Sequence, residues 1–314
     1  METLSPFRLA PWFRTRPWGF QDLAPWYNYR TDEEPIGEVW LTGEMCTAET
    51  GPLQGRTLAE ITRLHRAALL GMALTEPDFP LLVKVLFPKS KLSVQVHPDD
   101  ALAQQYGEPR GKTECWYALD ARPGAQVALG LRAGVTVEQV RAAVADGTLE
   151  SLLAMVPVDK GDMLFVDAGT VHAMGPGVVI LETQQTSDLT YRLYDYGSGR
   201  ELHLEKSFAA MRLATRAGKI RPRRVDGHSV LIDERYFRVE RWPIEAGRAL
   251  ALIAPVPVVQ ILFVAEGNVR ISGEGFAPFP VERNQAAIVP AATTRWGLEG
   301  SGPTEVIRIL PAER

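Results

Sequence analysis

The segment Leu92–His97 most constrains the fold, because it alternates strictly between apolar and polar residues. In a β-strand its three apolar side chains share one face, and the polar side chains Ser93, Gln95 and His97 share the other. Pro98–Asp100 then ends the strand as a turn. A strand of this kind predicts the wall of a β-barrel whose inner face carries chemistry.

Short strand-like segments with Gly and Pro between them recur along the chain, which is typical of an all-β fold. Helical patterns are few. Thr57–Leu70 begins with a capping box, Thr57 and Glu60, and Leu204–Leu213 is a second helix. Two short helices are predicted within Val137–Met155, divided at Asp146–Gly147. We therefore expect a mainly β chain with a few short helices.

The length of 314 residues predicts two domains or one large one. The basic, loop-like stretch Arg216–Arg224 is the best boundary, which gives domains of residues 1–215 and 225–314. The second part is expected to be entirely β.

Charge and composition exclude several classes of partner. Lys and Arg number 34 against 38 Asp and Glu, so no basic surface for nucleic acid or anionic membrane is expected. Two cysteines, Cys46 and Cys115, are too few for a disulfide framework and fit a reducing cytosol. The first 20 residues contain three arginines where a signal peptide has an apolar core. The apolar run Ala249–Ala265 contains prolines and predicts two strands. We expect a cytoplasmic protein.

Four side chains are candidate metal ligands: Gln95, His97, Glu114 and His172. Glu114 lies on the next strand-like segment, where a hairpin would bring it alongside Gln95 and His97. His172 follows a strand and a glycine turn that return it to the barrel. An amide oxygen, two imidazoles and one carboxylate suit a non-redox Lewis acid, above all Zn²⁺.

These segments resemble the two cupin motifs, with Gln95 where many cupins have His and Asp167 where the second motif usually has Pro. The sequences LSVQVHPDD, GKTECW, AGTVHAMG and LETQQTSDLTYRLYDYG, in this order, resemble the type I mannose-6-phosphate isomerases in their shorter bacterial form. The resemblance implies two cupin-like β-barrel or jelly-roll domains.

The resemblance also implies roles for individual residues. The zinc ligands of the family fall on the four candidates above, which implies one Zn²⁺ per chain. The active-site lysine falls on Lys112, the substrate-facing arginine on Arg192, the acidic residue on Glu182 and the serine on Ser93. Lys112, Arg192 and Glu182 are therefore the catalytic candidates, and Ser93, Arg192 and Lys112 the substrate-binding ones.

The chain departs from the longer family members in two places. Gly111 stands where they have a His before the lysine, and Tyr194–Gly197 replaces a Thr-Pro-Lys segment. The phosphate contact of that missing lysine must come from elsewhere, and Arg200 and Lys206 are candidates.

The implied reaction interconverts mannose 6-phosphate and fructose 6-phosphate through a cis-enediolate. It needs a Lewis acid, a base that moves a proton between two carbons, and a cationic phosphate site. Strand alternation on two adjacent strands would aim Glu182 and Arg192 into one pocket. Glu182 is the candidate base, and an ion pair with Arg192 or Lys112 is an equal alternative. Asp188 is interpreted as a turn residue.

Residues 225–314 are expected to form a degenerate cupin-like domain without metal ligands, because Arg295 occupies the His position and Asn284 the opening Gly of the second motif. Two alternative functions stay open. One is a metal-dependent isomerase of another, even unphosphorylated, aldose. The other is a metal cupin that is not an isomerase, such as a dioxygenase or a sugar-binding protein. The expected partner is a small sugar phosphate, and the chain is expected to be a monomer or homodimer.

Overall fold

A computed structural model describes residues 4–247, 249–253 and 257–312 of the chain, and it is mainly β. The helices are α1 (Leu58–Leu70), α2 (Asp100–Gln105), α3 (Val137–Asp146), α4 (Leu204–Ala210) and a 3-10 turn at Leu149–Leu152.

The strands follow in two groups. The first group is β1 (Phe7–Leu9), β2 (Trp12–Phe20), β3 (Ile36–Trp40), β4 (Leu81–Leu86), β5 (Val94–Val96), β6 (Glu114–Ala121), β7 (Gln126–Leu131), β8 (Leu153–Pro157), β9 (Met163–Val166), β10 (His172–Met174), β11 (Val178–Gln185), β12 (Tyr191–Tyr194) and β13 (Gly218–Ile220). The second group is β14 (Arg223–Val225), β15 (His228–Asp233), β16 (Phe237–Ile244), β17 (Ala249–Ile253), β18 (Gln260–Glu266), β19 (Val269–Gly273), β20 (Phe279–Val281), β21 (Ala286–Val289), β22 (Arg295–Gly300) and β23 (Thr304–Pro311).

Two sheets form a first sandwich. A seven-stranded sheet has the order β13-β9-β6-β11-β4-β3-β2, and a five-stranded sheet has the order β12-β5-β10-β7-β8. Apolar side chains of both sheets meet between them, among them Leu86, Trp116, Val127 and Met174. Because this interior is closed by two pleated faces, polar side chains that point inward from either sheet can meet there.

A second sandwich is formed by a seven-stranded sheet, β1-β21-β18-β23-β16-β15-β14, and a four-stranded sheet, β17-β22-β19-β20. Val264, Ile271, Leu298 and Val306 pack between these sheets. The strand nearest the N-terminus pairs here, with Phe7 opposite Ile288. Strand β1 is therefore built into the second sandwich.

The two seven-stranded sheets pack back to back. Val85 and Leu181 of the first sandwich belong to the same buried cluster as Phe237, Phe263 and Ile307 of the second. The helices α3 and α4 instead cover the outer face of the five-stranded sheet. Four sheets thus lie in layers, and the interior of each sandwich is separate from the other.

The expected elements are largely confirmed. Helix α1 has the predicted capping box, and the run Ala249–Ala265 contains β17 and β18, with residues 254–256 outside the described part. Two expectations were wrong. The second helix predicted before Met155 is a single 3-10 turn, because the chain turns at once into β8. The stretch Arg216–Arg224 contains β13, which extends a sheet edge by pairing with β9.

Within the described residues, no helix combines the length and the apolar character needed to cross a bilayer.

Replacing Phe263 tests the packing between the two sandwiches. Phe263→Ala should lower the free energy of unfolding by about 3 to 5 kcal/mol, because the side chain is fully buried and a cavity would remain. Urea denaturation measures this loss. Phe279→Ala removes a half-buried ring from β20 and is the matched control, expected to cost less than half as much. Equal losses in the two variants would contradict this account of the packing.

Candidate active site

Four polar side chains from three strands and one turn converge inside the first sandwich. Gln95 on β5 pairs directly with His172 on β10, and Gln95 Nε2 lies 3.2 Å from His172 Nε2. His97 follows β5, and Glu114 begins β6. The sequence pattern predicted a hairpin that brings Glu114 alongside Gln95 and His97. This was wrong, because β6 belongs to the seven-stranded sheet and β5 to the five-stranded one. Glu114 therefore faces Gln95 and His172 across the interior.

The two imidazoles and the carboxylate are close enough to bind one ion. Glu114 Oε2 lies 3.6 Å from His97 Nε2, and Glu114 Oε1 lies 3.6 Å from His172 Nε2. One ligand atom from each of the three residues lies within 4.8 Å of the others. All three side chains are at most 2% exposed. This is the only group of its kind among the described residues.

Neighbouring groups orient these ligand atoms. His172 Nδ1 lies 2.9 Å from the carbonyl oxygen of Thr170, which accepts its hydrogen, so the lone pair of the ring is on Nε2. Trp116 Nε1 donates to Glu114 Oε1 at 3.0 Å. Such outer partners are typical of histidine and carboxylate ligands in metal sites.

Burial keeps both imidazoles neutral. It lowers the pKa of His172 to about 4. Burial, with the nearby Lys112 ammonium, holds the pKa of His97 well below its usual range. Neutral imidazole is the form that binds metals. In this structure the amide nitrogen of Gln95 faces His172. A half-turn of the amide group would bring its oxygen to the same place, since the oxygen and nitrogen are nearly alike in shape. The donor set therefore fits Zn²⁺.

Lys112, on which the resemblance places the active-site lysine, lies against these ligands. Its Nζ is 3.2 Å from Glu114 Oε2 and 3.2 Å from His97 Nε2, and the side chain is 3% exposed. The ammonium balances the buried charge of Glu114.

A cavity of about 300 Å³ opens beside the ligand group. Its wall includes Ser93, Gln95 and Thr190. Charged side chains supply much of the remainder: Arg16, Glu38, Lys84, Lys112, Glu182, Asp188, Arg192 and Arg200. Asp188 thus lines the cavity, although the sequence indicated a turn residue.

Glu182 lies in this cavity wall and pairs with Lys84. The two residues are direct neighbours on β11 and β4, and Lys84 Nζ lies 3.0 Å from Glu182 Oε1. The alternative role, an ion pair with Arg192 or Lys112, is therefore corrected in its partner, which is Lys84. Burial and the nearby Glu114 raise the pKa of Glu182, while Lys84 lowers it in part. Sequence reasoning missed Lys84, although a single lysine inside the apolar strand LLVKVL is a signal for it.

Glu38 is a second buried carboxylate that the sequence analysis missed. Arg16 donates to both of its oxygens, at 3.0 Å each, and Trp40 Nε1 donates at 2.7 Å. Burial alone would raise the pKa of Glu38, but Lys84 and Arg16 lower it to about 2. An acidic residue within the fully buried strand IGEVW was its signal.

Arg192 enters the cavity from the five-stranded sheet, where it pairs with Gln95. The sequence pattern predicted Glu182 and Arg192 on adjacent strands. This was wrong, because their strands belong to opposite sheets of the first sandwich. Arg192 Nη1 donates to the carbonyl oxygen of Glu201 at 2.7 Å, and it forms no ion pair with a carboxylate of the described residues. Arg200, which also lines the cavity, pairs with Asp195 at 2.8 Å.

Lys206 lies on the other face of this sheet. Its Nζ sits over the rings of Tyr106 and Tyr191, at 5.2 and 5.7 Å from their centroids. Tyr191 belongs to the apolar cluster under α3 and α4, whereas its neighbour Arg192 points into the cavity. Of the two candidate phosphate contacts, only Arg200 lines the cavity.

Gly111 has no room for a side chain. A Cβ atom there would lie 2.4 Å from the carbonyl carbon of Asp99 and 2.5 Å from the carbonyl oxygen of Pro98. A histidine at this position is excluded by the backbone that follows His97.

The comparisons with known proteins agree with this geometry. Residues 7–130 match the family model described as "Phosphomannose isomerase type I, catalytic domain". Mannose-6-phosphate isomerase ManA of Bacillus subtilis is 36% identical, over 95% of this chain and 97% of the relative. The mannose-6-phosphate isomerase of Streptococcus mutans is 33% identical over 94% and 95%.

Solved structures show the same fold. The crystal structure of the mannose 6-phosphate isomerase from Bacillus subtilis superposes with a TM-score of 0.86 and 32% identity, covering 98% of this chain and 99% of that one. Together with the sequence matches over nearly the whole length, this identifies the chain as an enzyme that belongs to the type I mannose-6-phosphate isomerases.

Proposed function

We propose that this chain is a zinc-dependent aldose–ketose isomerase that interconverts mannose 6-phosphate and fructose 6-phosphate through a cis-enediolate. One observation carries the proposal. The cluster of His97, Glu114 and His172 adjoins a small cavity that also contains a buried carboxylate and an arginine without an acidic partner.

Gln95, His97, Glu114 and His172 would hold one Zn²⁺. When bound, the ion supplies Lewis acidity that stabilises negative charge on the sugar oxygens. Lys112 contacts two of these ligands and lines the cavity, so its ammonium can also donate to a sugar oxygen.

Glu182 is the proposed base that moves a proton between C1 and C2 of the sugar. Its carboxylate is 4% exposed, which raises its pKa and so strengthens it as a base. Lys84 offsets part of this rise in the pKa, because its ammonium lies 3.0 Å away. Glu182 is not one of the proposed zinc ligands, and it remains available for proton transfer.

Arg192 is the proposed phosphate contact. The other basic residues of the cavity are paired: Arg16 with Glu38, Lys84 with Glu182, Lys112 with Glu114 and Arg200 with Asp195. Arg192 has no such partner, so a bound phosphate would supply one. Its planar guanidinium matches two phosphate oxygens, and Arg200 and Ser93 flank the same space.

The alternatives explain less of the site. An unphosphorylated aldose would leave Arg192 without a counter-ion, and a dioxygenase would need a redox metal, for which an amide ligand is unusual. The division into a catalytic part, 1–215, and a part without metal ligands, 225–314, stays a proposal. The cytoplasmic location and the monomeric or dimeric state stay predictions.

Removing a ligand tests the metal site. His97→Ala and Glu114→Ala should each lose bound zinc. Turnover of mannose 6-phosphate should fall by more than about 100-fold, because losing a ligand costs more than losing a residue that only hydrogen-bonds to a ligand. Metal analysis and isomerase assays on the same samples measure both quantities. His228→Ala, which changes a histidine of the second sandwich, is the control. Full zinc content in both ligand variants would show that the assignment is incorrect.

Removing the arginine tests the phosphate contact. Arg192→Ala should raise the KM for mannose 6-phosphate by about 10- to 100-fold, the value of a charge-assisted hydrogen bond, and should lower kcat. Steady-state kinetics on phosphorylated and free mannose separate the two effects. Lys206→Ala removes a cation from the opposite face of the sheet and should change neither constant. A raised KM with unchanged kcat would restrict Arg192 to uniform binding.

Neutralising the proposed base tests the proton transfer. Glu182→Gln should nearly abolish exchange of the substrate C1 and C2 protons with solvent, because the amide cannot accept a proton. In the wild type, kcat should fall as the pH drops through the raised pKa of Glu182, since protonation removes the base. NMR in deuterated water measures the exchange, and zinc content should stay at one per chain. Unchanged exchange would remove Glu182 from this role.

A further inference from the structure

The segment Gly111–Thr113, which carries Lys112, is fixed by three consecutive backbone N–H groups. Gly111 donates to Asp100 Oδ1 at 2.9 Å, Lys112 donates to the carbonyl oxygen of Pro98 at 3.0 Å, and Thr113 donates to Gln185 Oε1 at 2.9 Å. This segment precedes β6 and is not part of a sheet. Its position is therefore set by these contacts.

Asp100 joins two of these contacts to the second sandwich. Gln185 Nε2 donates to Asp100 Oδ1 at 2.9 Å, so the acceptor of Thr113 is itself held by this carboxylate. The hydroxyl of Tyr236 donates to Asp100 Oδ2 at 2.7 Å. Tyr236 lies between β15 and β16, 136 residues further along the chain.

Close packing makes the segment sensitive to the position of Asp100. A Cβ atom placed on Gly111 would lie 2.7 Å from the backbone nitrogen of Asp100, so the two backbones are closely packed. A shift of Asp100 is passed to Gly111 through this contact and through the hydrogen bond. Lys112 Nζ meets His97 and Glu114 at 3.2 Å, and small displacements at reacting groups can cost much of the rate.

We propose that Tyr236 is a positioning residue, which acts through Asp100 to hold Lys112 against the metal ligands. The second sandwich would thus complete the active site without contributing a side chain to the cavity. The inference rests on the proposed function, because it takes Lys112 as a group that contacts the substrate.

The chain offers a matched control for this contact. The hydroxyl of Tyr117, on β6 in the first sandwich, donates to Glu305 Oε1, on β23 in the second, also at 2.7 Å. It is the same kind of bond between the same two sandwiches. Glu305, however, accepts no bond from the segment that carries Lys112 in any described contact.

The experiment compares the zinc-loaded variants Tyr236→Phe and Tyr117→Phe with the wild type. Tyr236→Phe should lower kcat by about 3- to 10-fold and leave KM within about 2-fold, because the phosphate contact lies on another strand. Zinc content should stay at one per chain. Hydrogen exchange measured by mass spectrometry should become faster in peptides that contain Gly111 and Thr113. Tyr117→Phe should lower the melting temperature by about as much as Tyr236→Phe does. It should leave kcat and the hydrogen exchange of these peptides unchanged.

A second variant tests whether Tyr236 acts through Asp100. In an Asp100→Ala background, Tyr236→Phe should cause no further loss of kcat. Additive losses, wild-type exchange around Lys112 in Tyr236→Phe, or equal losses of kcat in both tyrosine variants would overturn the inference. Failure of the proposed function is distinguishable, because the wild type itself would then show no turnover of mannose 6-phosphate.

Discussion

The structure depends on one buried charge. Glu114 is 0% exposed and lies between the two sheets of the first sandwich, where an isolated carboxylate would be strongly destabilising. Lys112, the indole of Trp116 and two neutral imidazoles surround it. A divalent cation at this point would offset the carboxylate more completely than the single lysine, because it brings two positive charges into contact with it. The burial that makes the Glu114 carboxylate costly is thus also the reason why this point would favour a bound cation.

The remaining charges of the cavity alternate in sign. From the rim inward, the series runs Asp188, Arg16, Glu38, Lys84 and Glu182. Arg16 is 4.0 Å from Asp188 and 3.0 Å from Glu38. Each buried carboxylate is balanced by a neighbour, so the low-dielectric interior tolerates the chain of charges. Arg192 stands outside this series, and for that reason we propose it as the contact for the phosphate of the substrate.

Much of the site could be predicted from local patterns. Alternation along Leu92–His97 gives the shared face of Gln95 and His97, and the glycine turn before His172 returns it to the same interior. What local patterns do not contain is which sheet each strand joins. Glu114 and Glu182 reach the cavity from the seven-stranded sheet and Arg192 from the five-stranded one, because the chain crosses between sheets after α2 and again after β11. Lys84 was missed for the same reason, since its importance comes from its neighbour Glu182 on β11.

The second sandwich has a physical role in the packing of the first. The first sandwich alone would expose the apolar outer face of its seven-stranded sheet, including Val85 and Leu181, and the second sandwich buries that face. Once two bodies are packed so closely, a hydrogen bond between them fixes a local position at little further entropic cost. Tyr236 and Asp100 form such a bond beside the segment of Lys112. A domain that covers apolar surface can in this way also set the geometry of a site that it does not line.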